Sequence, residues 1–190
     1  MWKGVLDLLE AAGKLKRIRR AGWVEVGVQE PESVAEHSYR TALLAMILAD
    51  LQGLDAEKAV RMALLHDLAE AEVGDLTPEE KGAKGQAHIL EEDEAMDRLL
   101  SPLPEPLSAR YSSLWRELRC AASPEAEMVT QADKLEMCIQ ALEYKRESFD
   151  PSRLNRFLKI EGRGLPKELL KEVIERNKDR NNNKSDPDSK

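Results

Sequence analysis

The sequence is poor in aromatic residues and cysteine and has no long apolar run, and each shortage excludes something. Aromatic residues make up 4% of the 190 residues against 42% hydrophobic residues. The core must therefore be assembled from Leu, Ala, Val, Ile and Met, which suits helix packing better than a β-sandwich. The two cysteines, Cys120 and Cys138, show no CxxC spacing and have no histidine at zinc-ligand distance. That excludes a disulfide framework and a zinc ribbon, and predicts reduced, intracellular thiols. No segment approaches a membrane span in length, and "MWKGVLDLLEAAGK" carries acidic residues inside its apolar stretch with no cleavage-type core. A soluble, cytoplasmic protein without a membrane partner is expected. A basic surplus is also missing: 36 acidic residues outnumber 29 basic ones, for a net charge of −7. This argues against a nucleic-acid polymer as partner. The one basic run, "KLKRIRR" at 14–20, reads mostly as a solvated helix end, with one arginine available to hold a phosphate. A glycine-rich phosphate loop and a nucleophile elbow are both absent.

What is present reads as an all-α bundle of six to eight helices without a significant sheet. The length suits one domain, placed at 1–177 with its central helices at about 33–147, followed by a disordered tail at 178–190 that ends in "NNNKSDPDSK". A short helix is predicted over 2–12, and "WVEVGVQEP", with its alternating valines, reads as an extended connector. "SVAE" at 33–36 is a capping box that opens a helix to about Leu51, whose buried stripe runs through His37, Thr41, Leu44, Leu48 and Leu51. Gly53 ends it and Asp55 caps the next, a helix over 56–73 with Ala59, Met62, Ala63, His66 and Glu70 along one side. "TPEE" at 77–80 is a second capping box, and "KGAKG" breaks the short helix that it opens. A helix over 86–100 turns Ile89, Met96 and Leu100 inward, with Glu91 to Glu94 as a solvated face and His88 at the surface or boundary. Helices over 106–119, 124–147 and 166–177 complete the bundle. The 124–147 helix buries Met128, Ala132, Leu135, Ile139 and Leu142, with Asp133 at the edge of that stripe.

Three helices thus carry metal-competent side chains beside their apolar faces: His37, the adjacent His66 and Asp67, and Asp133. Any one of them alone reads as a satisfied core or surface residue. Together they place several ionisable groups toward one core, which is costly without a counter-ion and is resolved by a cation. Two imidazoles and two carboxylates suit Mn²⁺, Mg²⁺, Fe²⁺ or Co²⁺ better than a closed structural zinc site.

His37, the "HD" at 66 and 67, and Asp133 resemble the H…HD…D signature of the HD-domain metal-dependent phosphohydrolases. "PESVAEHSYR", "LLHDLAEAEVGDLTP" and "QADKLEMCIQALEY" resemble more narrowly the small 5′-deoxynucleotidase branch of that superfamily, over about residues 1–160. The resemblance implies an HD domain in which His37, His66, Asp67 and Asp133 hold one divalent metal. It implies that Glu70 handles the attacking water, with Asp75 assisting proton transfer or binding the sugar. It also implies a phosphate-contacting arginine, Arg20 with Arg19 as the alternative, and Trp23 as the wall that excludes a 2′-hydroxyl. The expected activity is hydrolysis of 5′-deoxynucleoside monophosphates to deoxynucleoside and phosphate by a homodimer. Two other readings stand beside it: an HD phosphohydrolase for a cyclic nucleotide or a nucleoside triphosphate, and a non-catalytic helical scaffold with a structural metal.

Overall fold

Side-chain caps and left-handed glycines set the helix boundaries of this chain, whose computed structural model describes residues 2–146, 152–158, 169 and 171–175. Ser33 Oγ accepts from the Glu36 amide at 3.3 Å while Glu36 accepts from the Ser33 amide at 2.6 Å, opening α3 (Val34–Gln52). Gly53, with φ of 69°, closes it. Asp55 accepts from the Lys58 amide to open α4 (Ala56–Leu65). Thr77 and Glu80 form the second capping box at α6 (Pro78–Lys84), and Ser123 accepts from the Ala126 amide at the start of α9 (Pro124–Arg146). The remaining helices are α1 (Trp2–Lys14), α2 (Ala21–Glu25), α5 (Glu70–Val73), α7 (Gln86–Leu100), α8 (Glu105–Arg119) and a 3-10 helix over Arg153–Leu158. Among the described residues the only strand-like pairing is an isolated bridge between Arg19 and Ser33.

Among the described residues the chain is all-helical as expected, but nine α-helices and one 3-10 helix exceed the predicted six to eight. Two local departures raise the count. "WVEVGVQEP" is not an extended connector: α2 occupies its start, with Trp23 and Val26 buried and Val24 exposed, a spacing of three. Gly27, with φ of 87°, then turns the chain. The helix expected over 56–73 is also interrupted. After Leu65 the backbone tightens, with the Leu68, Glu70 and Ala71 amides donating to carbonyls three residues back, before α5 begins.

α3 packs most extensively against α4 and α9, and the core there includes Ala45 and Ala49 of α3, Ala59 and Ala63 of α4, and Ala126 and Ala132 of α9. Alanine at these positions lets the three helix backbones approach closely. A second apolar cluster, with Trp23, Val26, Tyr144, Leu154 and Phe157, joins α2, the end of α9 and the 3-10 helix. Leu51, expected at the end of the α3 stripe, is 75% exposed, because it is rotated about 120° from Ala45 at roughly 100° per residue. His88 and Glu92, expected at the surface, are both buried, and Ile89 is partly exposed. Met96 and Leu100 are buried as expected, and the inward face of α7 runs through His88, Glu92, Ala95 and Leu99 as well. α6 continues through Gly82 and stops at Gly85. Of the helix expected over 166–177, residues 169 and 171–175 are helical and the rest lies outside the described residues, as does the tail at 178–190. No helix among the described residues is long and apolar enough to cross a membrane.

Two glycines of α1 give opposite expectations for one substitution. A Cβ on Gly4 would stand 2.1 Å from the Pro102 carbonyl oxygen, whereas one on Gly13 would meet nothing within 4 Å. Gly4→Ala is expected to destabilise by ~1–3 kcal/mol despite its helix propensity, and Gly13→Ala to stabilise by up to about 1 kcal/mol. Urea unfolding of both variants measures the difference in sign.

Candidate active site

The proposed ligand residues come from the three helices that pack most closely. His37 is in the first turn of α3, His66 and Asp67 lie on the tightened turn after α4, and Asp133 is on α9. His37 Nε2 is 3.0 Å from Asp133 Oδ1, 3.4 Å from His66 Nε2 and 3.7 Å from Asp67 Oδ2. His66 Nε2 is 3.0 Å from the same Asp67 oxygen. All four residues are brought together, and ligand atoms of His37, His66 and Asp133 lie within 4.8 Å of one another.

The outer nitrogens of both rings are already engaged. His66 Nδ1 lies 2.6 Å from the Ala63 carbonyl, to which it can only donate. His37 Nδ1 lies 2.5 Å from Glu136 Oε2, with both groups fully buried. In each ring the Nδ1 hydrogen is thereby fixed and the Nε2 lone pair turns inward. Two lone pairs face each other at 3.4 Å between carboxylates, an arrangement that a proton or a metal cation must hold together. The donor set fits a divalent cation.

The electrostatics agree with that. Burial and the Arg20 charge oppose protonation of His37, but the hydrogen bonds that Asp133 and Glu136 accept from its ring override them and push its pKa up to about 10. A protonated His37 is not a ligand. The field that holds the proton holds a divalent cation more strongly, however, and the cation competes for the same lone pair. Burial favours the neutral form of Asp67, yet His66, Arg20 and His37 hold it well below the usual carboxylate range. Asp133 is lowered against its own burial, chiefly by the hydrogen bond with His37.

Glu70 opens α5 and is 2% exposed. Its Oε1 is 3.4 Å from Lys81 Nζ, while Oε2 is buried and makes no hydrogen bond. Burial, then the charges of Asp67 and Asp75, push its pKa well above the usual carboxylate range. Asp75 follows Gly74, whose φ is 80°. Its Oδ2 accepts from the Ala21 amide at 2.6 Å and its Oδ1 lies 3.7 Å from Arg20 Nη1. Arg20 Nη1 also donates to Asp67 Oδ2 at 3.3 Å, whereas Arg19 turns away to the Pro31 carbonyl. Of the two arginines, Arg20 is the one beside the proposed ligands.

A cleft of about 630 Å³ opens on this cluster, lined by Arg20, Trp23, Asp67, Asp75, Lys81 and Asp133 among others. Trp23 is almost completely buried, lies 4.2 Å from Phe157 and 5.4 Å from Tyr144 between ring centroids, and donates through Nε1 to Glu32 at 2.9 Å. Burial, then the nearby Glu136, raises Glu32 to about 6. The cleft thus has a charged floor and an apolar wall formed by Trp23, Met137, Phe157 and Leu76.

Four residues here have no counterpart in the sequence reading: Glu136, Lys81, Glu32 and Phe157. Glu136 was within reach, since it follows Asp133 by three positions and so shares its helix face. Lys81 opens the "KGAKG" expected to break the short helix, and Phe157 lies between the helices expected over 124–147 and 166–177.

Comparison with known proteins sets this geometry in a family. A family model described as an HD domain matches residues 12–173. The chain is 43% identical over 155 residues to the human 5′-deoxynucleotidase HDDC2, covering 82% of this chain and 75% of that protein. It is 35% identical over 156 residues to the 5′-deoxynucleotidase hdd1 of Schizosaccharomyces pombe, covering 80% of this chain and 78% of that one. A conserved hypothetical protein from Pyrococcus furiosus superposes with a TM-score of 0.70 at 35% identity, over 90% of this chain and 99% of its own. A predicted metal-dependent phosphohydrolase from Magnetospirillum magnetotacticum has a TM-score of 0.70 at 24% identity, over 95% and 94%, a likeness of fold. The family model spans both His37 and Asp133, and close relatives match over most of their own length: the chain belongs to the HD domain family.

Proposed function

We propose that the chain is a metal-dependent phosphomonoesterase of the 5′-deoxynucleotidase type, releasing phosphate from 5′-deoxynucleoside monophosphates. The observation that carries this reading is the pair of inward Nε2 atoms 3.4 Å apart, flanked by Asp67 and Asp133, two carboxylates that line a cleft sized for a small ligand. The names of the curated relatives point to the same activity.

In this reading His37, His66, Asp67 and Asp133 hold one divalent ion, Mn²⁺, Co²⁺, Mg²⁺ or Fe²⁺. Such an ion, when bound, supplies Lewis acidity toward a phosphoryl oxygen and makes water nucleophilic near neutral pH. Glu70, with one partnerless oxygen and a raised proton affinity, takes the proton of the attacking water. That proton is then available to the departing 5′-oxygen as the phosphorus–oxygen bond breaks, which balances the hydrolysis. Arg20 contacts the phosphate, and Asp75 keeps it in place while anchoring Ala21. Trp23 and Phe157 pack the nucleoside. The only donor of the Trp23 ring is committed to Glu32, so a 2′-hydroxyl set against that ring is buried without a partner, at about 1–3 kcal/mol.

The rival readings fare less well. A triphosphate needs several converging cations, but of the four basic residues lining the cleft, Lys81 is paired with Glu70, Arg156 with Glu25 and Arg20 with Asp67, and Lys134 is a solvent-exposed side chain. A structural metal site would gain nothing from a buried carboxylate with a partnerless oxygen. The proposed assembly is a homodimer, supported by the exposed apolar residues Tyr39, Leu43, Ile47 and Leu51 on the outer side of α3. A cytoplasmic location is in keeping with two unpaired cysteines.

Phosphate release from dAMP, dCMP, dGMP, dTMP and dUMP with each metal, beside the ribonucleotides, tests the reading. Deoxynucleotides should turn over with kcat/KM roughly 10–100-fold higher, and no turnover of any deoxynucleotide with any of the metals refutes it. Glu70→Gln should keep its metal and lose about 10²–10⁴-fold in kcat, whereas Asp67→Ala should lose the metal, as elemental analysis and calorimetry would show. Glu136→Gln should weaken metal binding by about 10–100-fold in a titration calorimeter.

A further inference from the structure

Among the buried ionisable side chains of the described residues, His88 and Glu92 of α7 take no part in the chemistry above, and both lie on the inward face of that helix. A carboxylate buried this deeply persists only where opposite charge meets it. Arg119 of α8 reaches Glu92 Oε2 at 2.5 Å. His88 Nε2 lies 3.0 Å from Glu92 Oε1, close enough for an ion pair but out of line, since neither ring nitrogen makes a hydrogen bond. On the side facing the site, Lys81 Nζ lies 3.9 Å from Glu92 Oε1 and 3.4 Å from Glu70 Oε1.

The charges alternate in sign from α8 to α5: Arg119, Glu92, Lys81, Glu70. The series ends on Glu70, whose Oε2 is buried without a hydrogen bond. α6, which carries Lys81, buries none of its own residues. Glu92 and Glu70, rather than apolar packing, therefore fix the ammonium. The cation stands between the two carboxylates, within ion-pair reach of both.

We propose that Lys81 is a positioning residue for Glu70: tethered by Glu92 and backed by Arg119, its ammonium fixes one Glu70 oxygen and leaves the other for the water proton. This rests on the phosphomonoesterase reading above. Lys81 also lines the cleft, so a direct contact with substrate phosphate is the competing role, and the two roles separate in kinetics. A residue that positions the proton acceptor acts on kcat, whereas a uniform substrate contact acts on KM.

The experiment measures kcat, KM, metal content and melting temperature for the full chain and for Lys81→Ala, Lys81→Arg and Glu92→Gln, with a 5′-deoxynucleotide and the most active divalent metal. Lys81→Ala should lower kcat by about 10–100-fold with KM within about two-fold and metal content unchanged. Lys81→Arg should restore most of kcat, and Glu92→Gln should lower kcat less than Lys81→Ala does. A raised KM with unchanged kcat in Lys81→Ala overturns the proposal in favour of a phosphate contact. Unchanged kinetics overturn it outright, and so does loss of metal or failure of arginine to rescue, which would mark a merely structural role. Where the unsubstituted chain turns over and Lys81→Ala matches it, this inference alone fails. Where the unsubstituted chain turns over nothing, the function reading fails and takes this inference with it.

Discussion

The approach of two imidazole nitrogens inside a helical core, with carboxylates around them, is the constraint on which the rest of the structure depends. Ionisable groups removed from water persist only when each meets a partner, and the contacts of His37 show how far that requirement reaches. Its inner nitrogen faces His66 and Asp133, and its outer nitrogen meets Glu136. Glu136 in turn accepts from Arg40, which extends to Gln140 and Glu143. α3 and α9 are thus joined by a polar lattice leading outward from the site and by alanine-lined packing elsewhere. The small residues are part of the same constraint, since only closely approaching helices bring ligand atoms from three of them within a few ångströms.

The parts of this arrangement that depend on neighbours in sequence were legible without a structure. Both capping boxes, the Asp55 cap and the stop at Gly53 are decided within a few residues, and they stand where the sequence places them. The candidate ligands His37, His66, Asp67 and Asp133 stood out because they sit beside apolar stripes, which is a local property too. The neighbourhood of Glu92 and His88 was misread for the converse reason. Helical periodicity tells which face is apolar, but whether a carboxylate is tolerated on the inner face depends on a counter-charge from elsewhere. Arg119 meets Glu92 across 27 positions, and Arg40 meets Glu136 across 96. No window of a dozen residues contains both members of either pair.

The helix count was misread at two places, and both lie beside the site. Adjacent residues of an unbroken α-helix point about 100° apart, which sets His66 and Asp67 in diverging directions. The tightened turn after Leu65 relieves that divergence, and their ligand atoms lie 3.0 Å apart. Ending α4 there also leaves carbonyls without intrahelical partners, and the Ala63 carbonyl accepts from His66 Nδ1, which fixes the inward lone pair.

The second extra boundary works in the same way. The first amides of a helix lack intrahelical acceptors, and at α2 the Ala21 amide finds Asp75. That bond ties the segment carrying Arg20 and Trp23 to the turn carrying Asp75, so one carboxylate aligns two sides of the cleft. Unsatisfied polar groups at helix ends have to be met somewhere, and here functional side chains meet them. A bundle with fewer, longer helices would bury the same apolar surface and lose both orienting contacts. The surplus of helix ends beside the cleft is therefore a requirement of the site, and a periodicity that describes only the apolar core does not contain it.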